Sequence, residues 1–157
     1  MGRNDGGKGM RTYIIIVSRT FPCSHSRSGE DTGFPQKLRN GLKLHTIRTN
    51  ATWWEMVAKE VNAGEAVLSV RTWEGRPYCS KQVEIMQVTK LGLQSISMSS
   101  DTMFPLPTPC VDGRKQVDIY TLARNDGLSL PDFLEWFFPC GDGFFRGVIV
   151  HFTDFRY

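Results

Sequence analysis

The stretch from Gly41 to Thr49 places the strongest constraint on how this chain can fold. Its apolar and β-branched residues are typical of a strand that enters a core, yet they alternate with Lys43, His45 and Arg48. Burying ionisable groups costs free energy unless the groups are paired or used. Because a helix signal follows directly, we predict a strand-to-helix corner here, a common position for a binding site.

Length and composition indicate a globular protein of one domain. The chain has 157 residues, of which 40% are hydrophobic and 22% are charged. A net charge of +3 is compatible with an anionic partner but does not establish one. The apolar run at residues 13–17 is too short for a signal peptide or a membrane span. We therefore expect a cytoplasmic protein without a membrane partner.

The cysteines are widely spaced along the chain: Cys23, Cys79, Cys110 and Cys140. None belongs to a C-x-x-C pair, and without a secretory signal they are interpreted as reduced thiols. A zinc site that recruits His25 or His151 is disfavoured because the ligand spacing of such sites is absent. We expect neither a metal nor another cofactor.

The order of the predicted elements indicates an α+β fold. Strands are predicted at residues 12–17, 41–49, 65–73, 81–90, 92–98 and 148–152, and helices at 52–62, 117–124 and from 129 onward. Several strands carry apolar residues on both faces, which suits a barrel partly covered by helices. The order of the elements predicts a mixed or antiparallel sheet with helices packed on it.

Polar residues mark the starts of two predicted helices. Residues 52–55 have the spacing of a capping box, which predicts the start of the first helix. Ser129 is predicted to cap the last helix, and Phe133, Trp136 and Phe137 are predicted to form its buried face.

Loops divide the chain without dividing the domain. Residues 1–10 are Gly-rich and polar, and we expect a disordered extension there, which leaves residues 11–157 as the single domain. Residues 18–40 read as a long irregular stretch with a basic bias, interpreted either as the lining of an anionic site or as a solvated loop. Residues 99–115 contain three prolines and are expected to be a loop insertion.

The run Lys43-Leu44-His45-Thr46-Ile47-Arg48 resembles the K-x-x-T-I-R signature of ASCH domains, in the PUA-like superfamily. Three further segments resemble later parts of that family in the same order: residues 64–70, 125–129 and 148–152. The resemblance covers about residues 34–157 apart from the 99–115 loop. The chain also resembles small ASCH-like proteins of Bacteroidetes and their phages.

This resemblance implies a small β-barrel with a cleft that binds RNA or a modified nucleobase. One branch of the family hydrolyses N4-acetylcytidine with a Lys and a Thr of the K-x-x-T motif and a Glu from the later polar segment. Lys43 and Thr46 match the first two positions, and Asp126 stands roughly where the Glu would be, one methylene shorter. The resemblance thus implies Lys43, Thr46 and Asp126 as catalytic residues of an amidohydrolase.

The chemistry of amide hydrolysis sets conditions on these residues. It needs a nucleophile and a base, which Thr46 and Lys43 can supply if the pKa of Lys43 lies well below its usual value. Burial and the charge of Arg48 lower that pKa, whereas Asp126 raises it. Since residues three apart in a regular strand face opposite sides, Lys43 and Thr46 converge only if Lys43 precedes the strand or a bulge separates them.

Each candidate also has a purely structural interpretation. Lys43 fits a surface lysine at a strand start, and Thr46 fits an ordinary β-branched sheet residue. Asp126 fits turn chemistry beside a glycine. His45 fits a core histidine with its hydrogen bonds satisfied, and Arg48 fits the partner of a nearby carboxylate.

Three functions are open at this point. In the first, an RNA or modified-nucleoside binding module, the cleft residues read an unstacked base with help from Arg48 and His45, and Trp53 or Trp73 supplies a stacking surface. In the second, the same cleft hydrolyses an acylated nucleobase such as N4-acetylcytidine. In the third, a protein-interaction or phage accessory domain, the 99–115 loop is the contact surface.

Overall fold

The computed structural model describes residues 9–101, 103 and 106–157. Residues 1–8 of the expected disordered extension, and residues 102, 104 and 105 of the expected 99–115 loop, therefore lie outside the described residues. The elements follow the chain in this order: β1 Arg11–Ile16, α1 Phe34–Arg39, β2 His45–Arg48, α2 Ala51–Asn62, β3 Ala66–Trp73, β4 Gln82–Val88, β5 Gly92–Ser100, β6 Cys110–Val111, β7 Lys115–Gln116, α3 Ile119–Asn125, α4 Leu130–Phe137 and β8 Gly143–His151. The expected α+β class is confirmed.

The first sheet has the strand order β1-β3-β4. β1 runs parallel to β3, with Arg11 opposite Ala66 and Ile16 opposite Arg71. β4 pairs with β3 in the antiparallel direction, and the register shifts between Val70 and Arg71. Parallel neighbours require a long connection, and here α1, β2 and α2 lie between β1 and β3 in the chain.

The second sheet has the order β2-β8-β5-β6-β7. β8 lies between β2 and β5 and is antiparallel to both, so that His151 stands opposite His45 on one side and Gly92 on the other. Its residues from Val148 to His151 are all buried. This central position explains why β8 begins at Gly143, five residues before the predicted start: the long β5 pairs with it as far as Ser100.

The two sheets do not close into the expected barrel. Among the described residues no strand ladder joins the first sheet to the second. β2 has only four residues and is followed by Asn50, whose backbone is left-handed (φ 60°, ψ 52°) and turns the chain into α2. The sheets meet instead through a side chain, because Nη2 of Arg48 donates to the carbonyl oxygen of Ile16 at the end of β1 at 2.7 Å.

The helices cover the sheets with their apolar faces. α2 begins at Ala51 without a side-chain cap, so the capping box predicted at residues 52–55 is wrong; those residues lie inside the helix. The predicted Ser129 cap is confirmed, since its side chain accepts a hydrogen bond from the Asp132 N–H. The core side chains with less than 2% exposure include Val57, Leu68, Ile96, Leu122, Phe133 and Ile149.

The stretch at residues 18–40 is more ordered than its composition indicates. Its last part forms α1, which buries Phe34 and Leu38. Its first part is held against α4, because the Ser26 N–H and hydroxyl both donate to the Glu135 carboxylate and Arg27 pairs with Asp132. These contacts fix the position of α4 beside α1.

The described part of the 99–115 segment also differs from a simple loop. β5 continues to Ser100, and two short strands follow, because Val111 pairs with Ile96 and Lys115 pairs with Val111. Across the described ranges, every helix falls short of the length and hydropathy needed to cross a lipid bilayer.

Candidate functional site

Lys43 lies at the expected corner, immediately before β2 begins at His45. Its backbone N–H donates to the carbonyl of Lys37 at 3.0 Å, and the next N–H, that of Leu44, donates to the carbonyl of Asn125 at 2.8 Å. Because Lys43 precedes the strand, the alternation of a regular strand does not separate its side chain from that of Thr46. Lys43 is only 3% exposed, so its interpretation as a surface lysine is wrong.

The ammonium group of Lys43 is held by Asp126 from α3. Nζ donates to the Asp126 main-chain carbonyl at 2.6 Å and to its carboxylate Oδ1 at 3.2 Å. The ring of Phe34 lies on a further side, with its centroid 4.2 Å from Nζ. A buried ammonium is tolerated where hydrogen bonds and an opposite charge compensate its lost hydration, as they do here.

Gly127 makes this close approach possible. Its φ of +85° is left-handed, and a Cβ added there would lie 3.3 Å from Cβ, Cγ and Cδ of Lys43. Its carbonyl accepts a hydrogen bond from Nζ of Lys37 at 2.7 Å, which also donates to the Thr32 carbonyl. The Asn-Asp-Gly segment is therefore a turn, as its composition predicts, and it also packs against the aliphatic part of the Lys43 side chain.

His45 connects Asp126 to the end of the sequence. Its Nε2 lies 2.6 Å from the Tyr157 hydroxyl, which also accepts a hydrogen bond from Nδ2 of Asn125 at 3.1 Å. Burial raises the pKa of Tyr157. Because the hydroxyl already accepts a hydrogen bond from Asn125, we assign its own proton to the hydrogen bond with Nε2 of His45. His45 then carries its proton on Nδ1, which lies 3.4 Å from Asp126 Oδ1, within range of a charge contact but without hydrogen-bond geometry.

The backbone of Tyr157 is fixed by Gln94 on β5. Oε1 of Gln94 accepts from the Tyr157 N–H at 2.9 Å, and Nε2 donates to the Tyr157 carbonyl at 3.2 Å. The same Oε1 lies 3.0 Å from Nε2 of His151. His45 is 0% exposed and is therefore a core histidine, but only its Nε2 has a hydrogen-bond partner, so the interpretation with all its hydrogen bonds satisfied is wrong.

Arg48 and Thr46 lie next to each other on β2. Nε of Arg48 donates to the Thr46 hydroxyl at 3.4 Å, and its Nη2 donates to Ile16, as described above. The carboxylate partner expected for Arg48 is thus replaced by a carbonyl oxygen. Burial lowers the pKa of Arg48, while the charge of Asp126 acts in the opposite direction.

The two opposing effects on the pKa of Lys43 do not cancel. Burial lowers the pKa of its ammonium group, and this outweighs the charge and hydrogen bond of Asp126, which raise it. Arg48 and Lys37 add to the lowering. Burial likewise lowers the pKa of His45 against the opposing effect of Asp126. The site therefore favours a neutral imidazole and a lysine that gives up its proton more readily than one in water.

These side chains border a cavity of about 250 Å³, named the Lys43 pocket below. Lys43, Thr46, Arg48 and Asp126 form its polar wall. The apolar wall comes from α1 and α4 and includes the aromatic rings of Phe34, Trp136 and Phe137. His45 does not line the pocket and contacts Asp126 and Tyr157 instead. The expected meeting of positions 43, 46 and 126 is thus present, and their chemical roles stay predictions.

The two tryptophans expected to stack on a ligand lie elsewhere. Trp53 packs edge-on against Tyr13, with ring centroids 5.9 Å apart, and Trp73 lies 5.2 Å from the ring of Tyr78. Neither of them lines the Lys43 pocket.

The aromatic residues of the pocket wall were missed as ligand contacts. Trp136 and Phe137 were predicted to belong to the buried face of α4, yet only Phe133 is fully buried there. Local spacing gave no signal for this contact, because the apolar residues of α4 recur at the spacing of a single helix face. That spacing does not show which of them border a cavity.

The pocket offers donors and an acceptor to a planar polar group. The ammonium and guanidinium groups and the hydroxyl can donate, the carboxylate can accept, and aromatic residues line the same cavity. Within the described ranges, no group of three or more His, Cys, Asp or Glu side chains could hold a metal ion. His25 instead points its Nε2 at the Asp132 carbonyl at 3.2 Å.

Comparison with known proteins gives no match: neither a family profile, nor a curated protein, nor a solved structure is similar to this chain. The resemblance to ASCH domains therefore stays a prediction. The function has to be argued from the pocket and its chemistry.

Proposed function

We propose that the protein is an ASCH-like binding module whose Lys43 pocket takes up an unstacked nucleobase from RNA or from a modified nucleoside. The observation that supports this is that a polar wall formed by Lys43, Thr46, Arg48 and Asp126 shares one cavity with aromatic residues. Recognition of an unstacked base requires hydrogen-bond donors and acceptors for its edge and an aromatic ring for its face.

The size of the pocket favours a small ligand. Its volume of about 250 Å³ is just below the range typical of drug-sized ligands, about 300–1,000 Å³. A single base with a substituent suits such a space, whereas a duplex does not. Double-stranded RNA would also present its base edges in a groove that side chains cannot enter.

The polar wall matches the edge of a pyrimidine such as cytosine. The carbonyl oxygen and ring nitrogen of the base accept hydrogen bonds, which Arg48 and Lys43 can donate. The exocyclic amine donates, and the Asp126 carboxylate can accept. Trp136 or Phe137 then supplies the stacking surface that the sequence assigned to other tryptophans.

A second candidate function is hydrolysis of an acylated base, and the lowered pKa of Lys43 favours it. In this scheme the Thr46 hydroxyl attacks the acyl carbonyl and Lys43 accepts its proton. Arg48 stabilises the oxyanion, and the proton then goes to the leaving amine of the base. Water releases the acyl group from Thr46 in a second step, which yields the free acid and restores the hydroxyl.

One experiment tests both functions with the same ligands. Cytidine and N4-acetylcytidine are titrated into the protein by calorimetry, and acetate release is followed in parallel. Binding without acetate release supports the module, and turnover supports the enzyme. Retention of single-stranded RNA that decreases with salt would further support the module. If neither nucleoside binds and no acetate appears, both functions fail, and the interaction domain is the one that stands.

Thr46→Val is the variant of choice because it removes the hydroxyl and keeps the branched shape of the side chain. We expect it to weaken nucleoside binding about fivefold to tenfold, the effect of one lost hydrogen bond, or to abolish turnover if Thr46 is the nucleophile. Thr12→Val is the matched control, since Thr12 is an exposed residue of β1 outside the pocket. Equal behaviour of the two variants would contradict a ligand contact at Thr46.

A further inference from the structure

We propose that a second cavity next to the Lys43 pocket holds a nucleotide that flanks the bound base, so that the protein binds single-stranded RNA over at least two nucleotides. This inference rests on the proposed function and extends it from a base to a strand. The second cavity has a volume of about 670 Å³ and is called the Trp73 groove below.

The groove adjoins the pocket. Ser18 lines both cavities, and the two residues before it are divided between them, with Val17 in the pocket and Ile16 in the groove. The segment that follows β1 therefore borders both cavities, and an RNA strand bound to both would pass Ser18.

The groove carries a pair of aromatic residues, of which Tyr78 is exposed and Trp73 is half-buried. Trp73, at the end of β3, and Tyr78, in the turn before β4, have ring centroids 5.2 Å apart at an angle of 50°. Tyr78 is 89% exposed, which leaves most of its ring open to solvent. Exposed rings of this kind are the stacking surfaces of proteins that bind single strands, because every base offers a π-face to them.

The groove also carries a cationic side chain. Arg19 lines the groove and donates through Nη1 to the carbonyl of Glu74. A guanidinium group has five N–H donors, so this bond leaves others for a phosphate oxygen. The acidic residue of the groove, Asp31, already accepts a hydrogen bond from the Gly33 N–H through Oδ1. The charge of Arg19, together with Arg48 in the pocket, favours an anionic strand over an acidic peptide that lacks bases to stack.

The test compares a nucleoside with a short oligonucleotide. Cytidine and the trinucleotide uridine-cytidine-uridine are titrated by calorimetry into the protein and into Tyr78→Ala and Tyr78→Phe. We expect the trinucleotide to bind about tenfold more tightly than cytidine, the effect of one stacked base. Tyr78→Ala should remove this gain and leave cytidine affinity unchanged, whereas Tyr78→Phe should retain it.

Controls separate stacking from damage to the fold. Tyr78→Ala leaves no cavity because the ring is exposed, and Tyr120→Ala removes another exposed tyrosine, 59% accessible, that lines neither cavity. Equal affinities for cytidine and trinucleotide, or an equal gain in Tyr78→Ala, would overturn the inference while the proposed function stands. Equally tight binding of the deoxyribose trinucleotide would overturn the assignment to RNA. If cytidine itself does not bind and Thr46→Val leaves trinucleotide affinity unchanged, both proposals fall.

Discussion

Asp126 holds Lys43 through two of its own oxygens, the main-chain carbonyl at 2.6 Å and the carboxylate Oδ1 at 3.2 Å from Nζ. The first contact fixes Lys43 to the end of α3 and does not depend on the charge of the Asp126 side chain. The second supplies the opposite charge, and it depends on the carboxylate. This division allows the contribution of charge to be measured separately from that of position.

Lys43→Met should destabilise the protein strongly. Methionine keeps the length of the side chain but leaves the Asp126 carboxylate buried without its ammonium partner. Removing one partner of a buried ion pair typically costs about 3–5 kcal/mol, and we expect a loss of this size in the free energy of unfolding measured with urea.

The double variant Lys43→Met/Asp126→Asn provides the matching test of pairing. Since it removes both charges, it should be less destabilised than the sum of the two single variants. Lys90→Met is the control at an exposed lysine and should change the free energy of unfolding by no more than about 0.5 kcal/mol. Strict additivity of the two single variants would contradict an energetic coupling of Lys43 to Asp126.

Gly127→Ala should cost more than an alanine at another left-handed glycine. Gly127 has φ +85° and its added Cβ would press on the stem of Lys43, whereas Gly113 has φ +70° with nothing within 4 Å of such a Cβ. Gly113→Ala should therefore lose about 1–2 kcal/mol for the backbone alone. Gly127→Ala should lose at least about 1 kcal/mol more because of the overpacking. Thermal or urea unfolding measures both, and equal losses would mean that the stem moves aside freely.

Tyr157→Phe should destabilise the protein and alter the proton position on His45. The variant removes the hydroxyl 2.6 Å from Nε2 of His45 and leaves that buried nitrogen without its partner, a loss of about 1–3 kcal/mol. Nitrogen-15 NMR should show the Nδ1-protonated tautomer of His45 in the parent protein and a redistribution in the variant. Tyr120→Phe, at an exposed tyrosine, is the control. A proton on Nε2 in the parent protein would show that the hydroxyl accepts rather than donates.

Stability should decrease as the pH falls below about 6.5, partly because of His151. Burial, with the nearby charges of His45 and Arg156, lowers the pKa of His151 to about 3, against the opposing effect of Asp112. Between the unfolded pKa and this value the unfolded chain binds more protons than the folded one, so the free energy of unfolding falls with decreasing pH.

His151→Gln tests this pH dependence. Urea unfolding between about pH 7.5 and pH 4 should show a smaller fall in stability in the variant than in the parent protein. Part of the fall should persist, because burial lowers the pKa of His45 as well. A fall of the same size in both proteins would show that His151 does not contribute.

The sequence predicted the elements whose signals are local. Apolar and β-branched runs located six of the eight described strands, whereas the short β6 and β7 were not predicted, and Ser129 marked the start of α4 correctly. The start of α2 was predicted wrongly because Asn50 takes a left-handed conformation that leaves its side chain unused as a cap. The barrel was expected from strands that are apolar on both faces, but the same pattern also suits two separate sheets covered by helices.

The polar half of the site could be predicted and the aromatic half could not. Lys43 and Thr46 are close in sequence, and the order of motifs pointed to Asp126, which lies 83 residues from Lys43. The ring of Trp136 reaches the pocket only because the 18–33 segment fastens α4 beside α1, through contacts such as Ser26 to Glu135. A placement that depends on such long-range contacts leaves no trace in local periodicity.

The division of the Lys43 pocket between distant parts of the chain affects how related pockets can be found. Residues 43–48 supply most of the polar wall, whereas Asp126 follows α3 and the aromatic residues lie on α1 and α4. Proteins that lack this sequence motif could acquire the same arrangement of ammonium, carboxylate and aromatic ring on other strands, by convergence. A three-dimensional template built on the Lys43 ammonium, the Asp126 carboxylate and the Phe34 ring is therefore better suited than the sequence motif to finding related pockets.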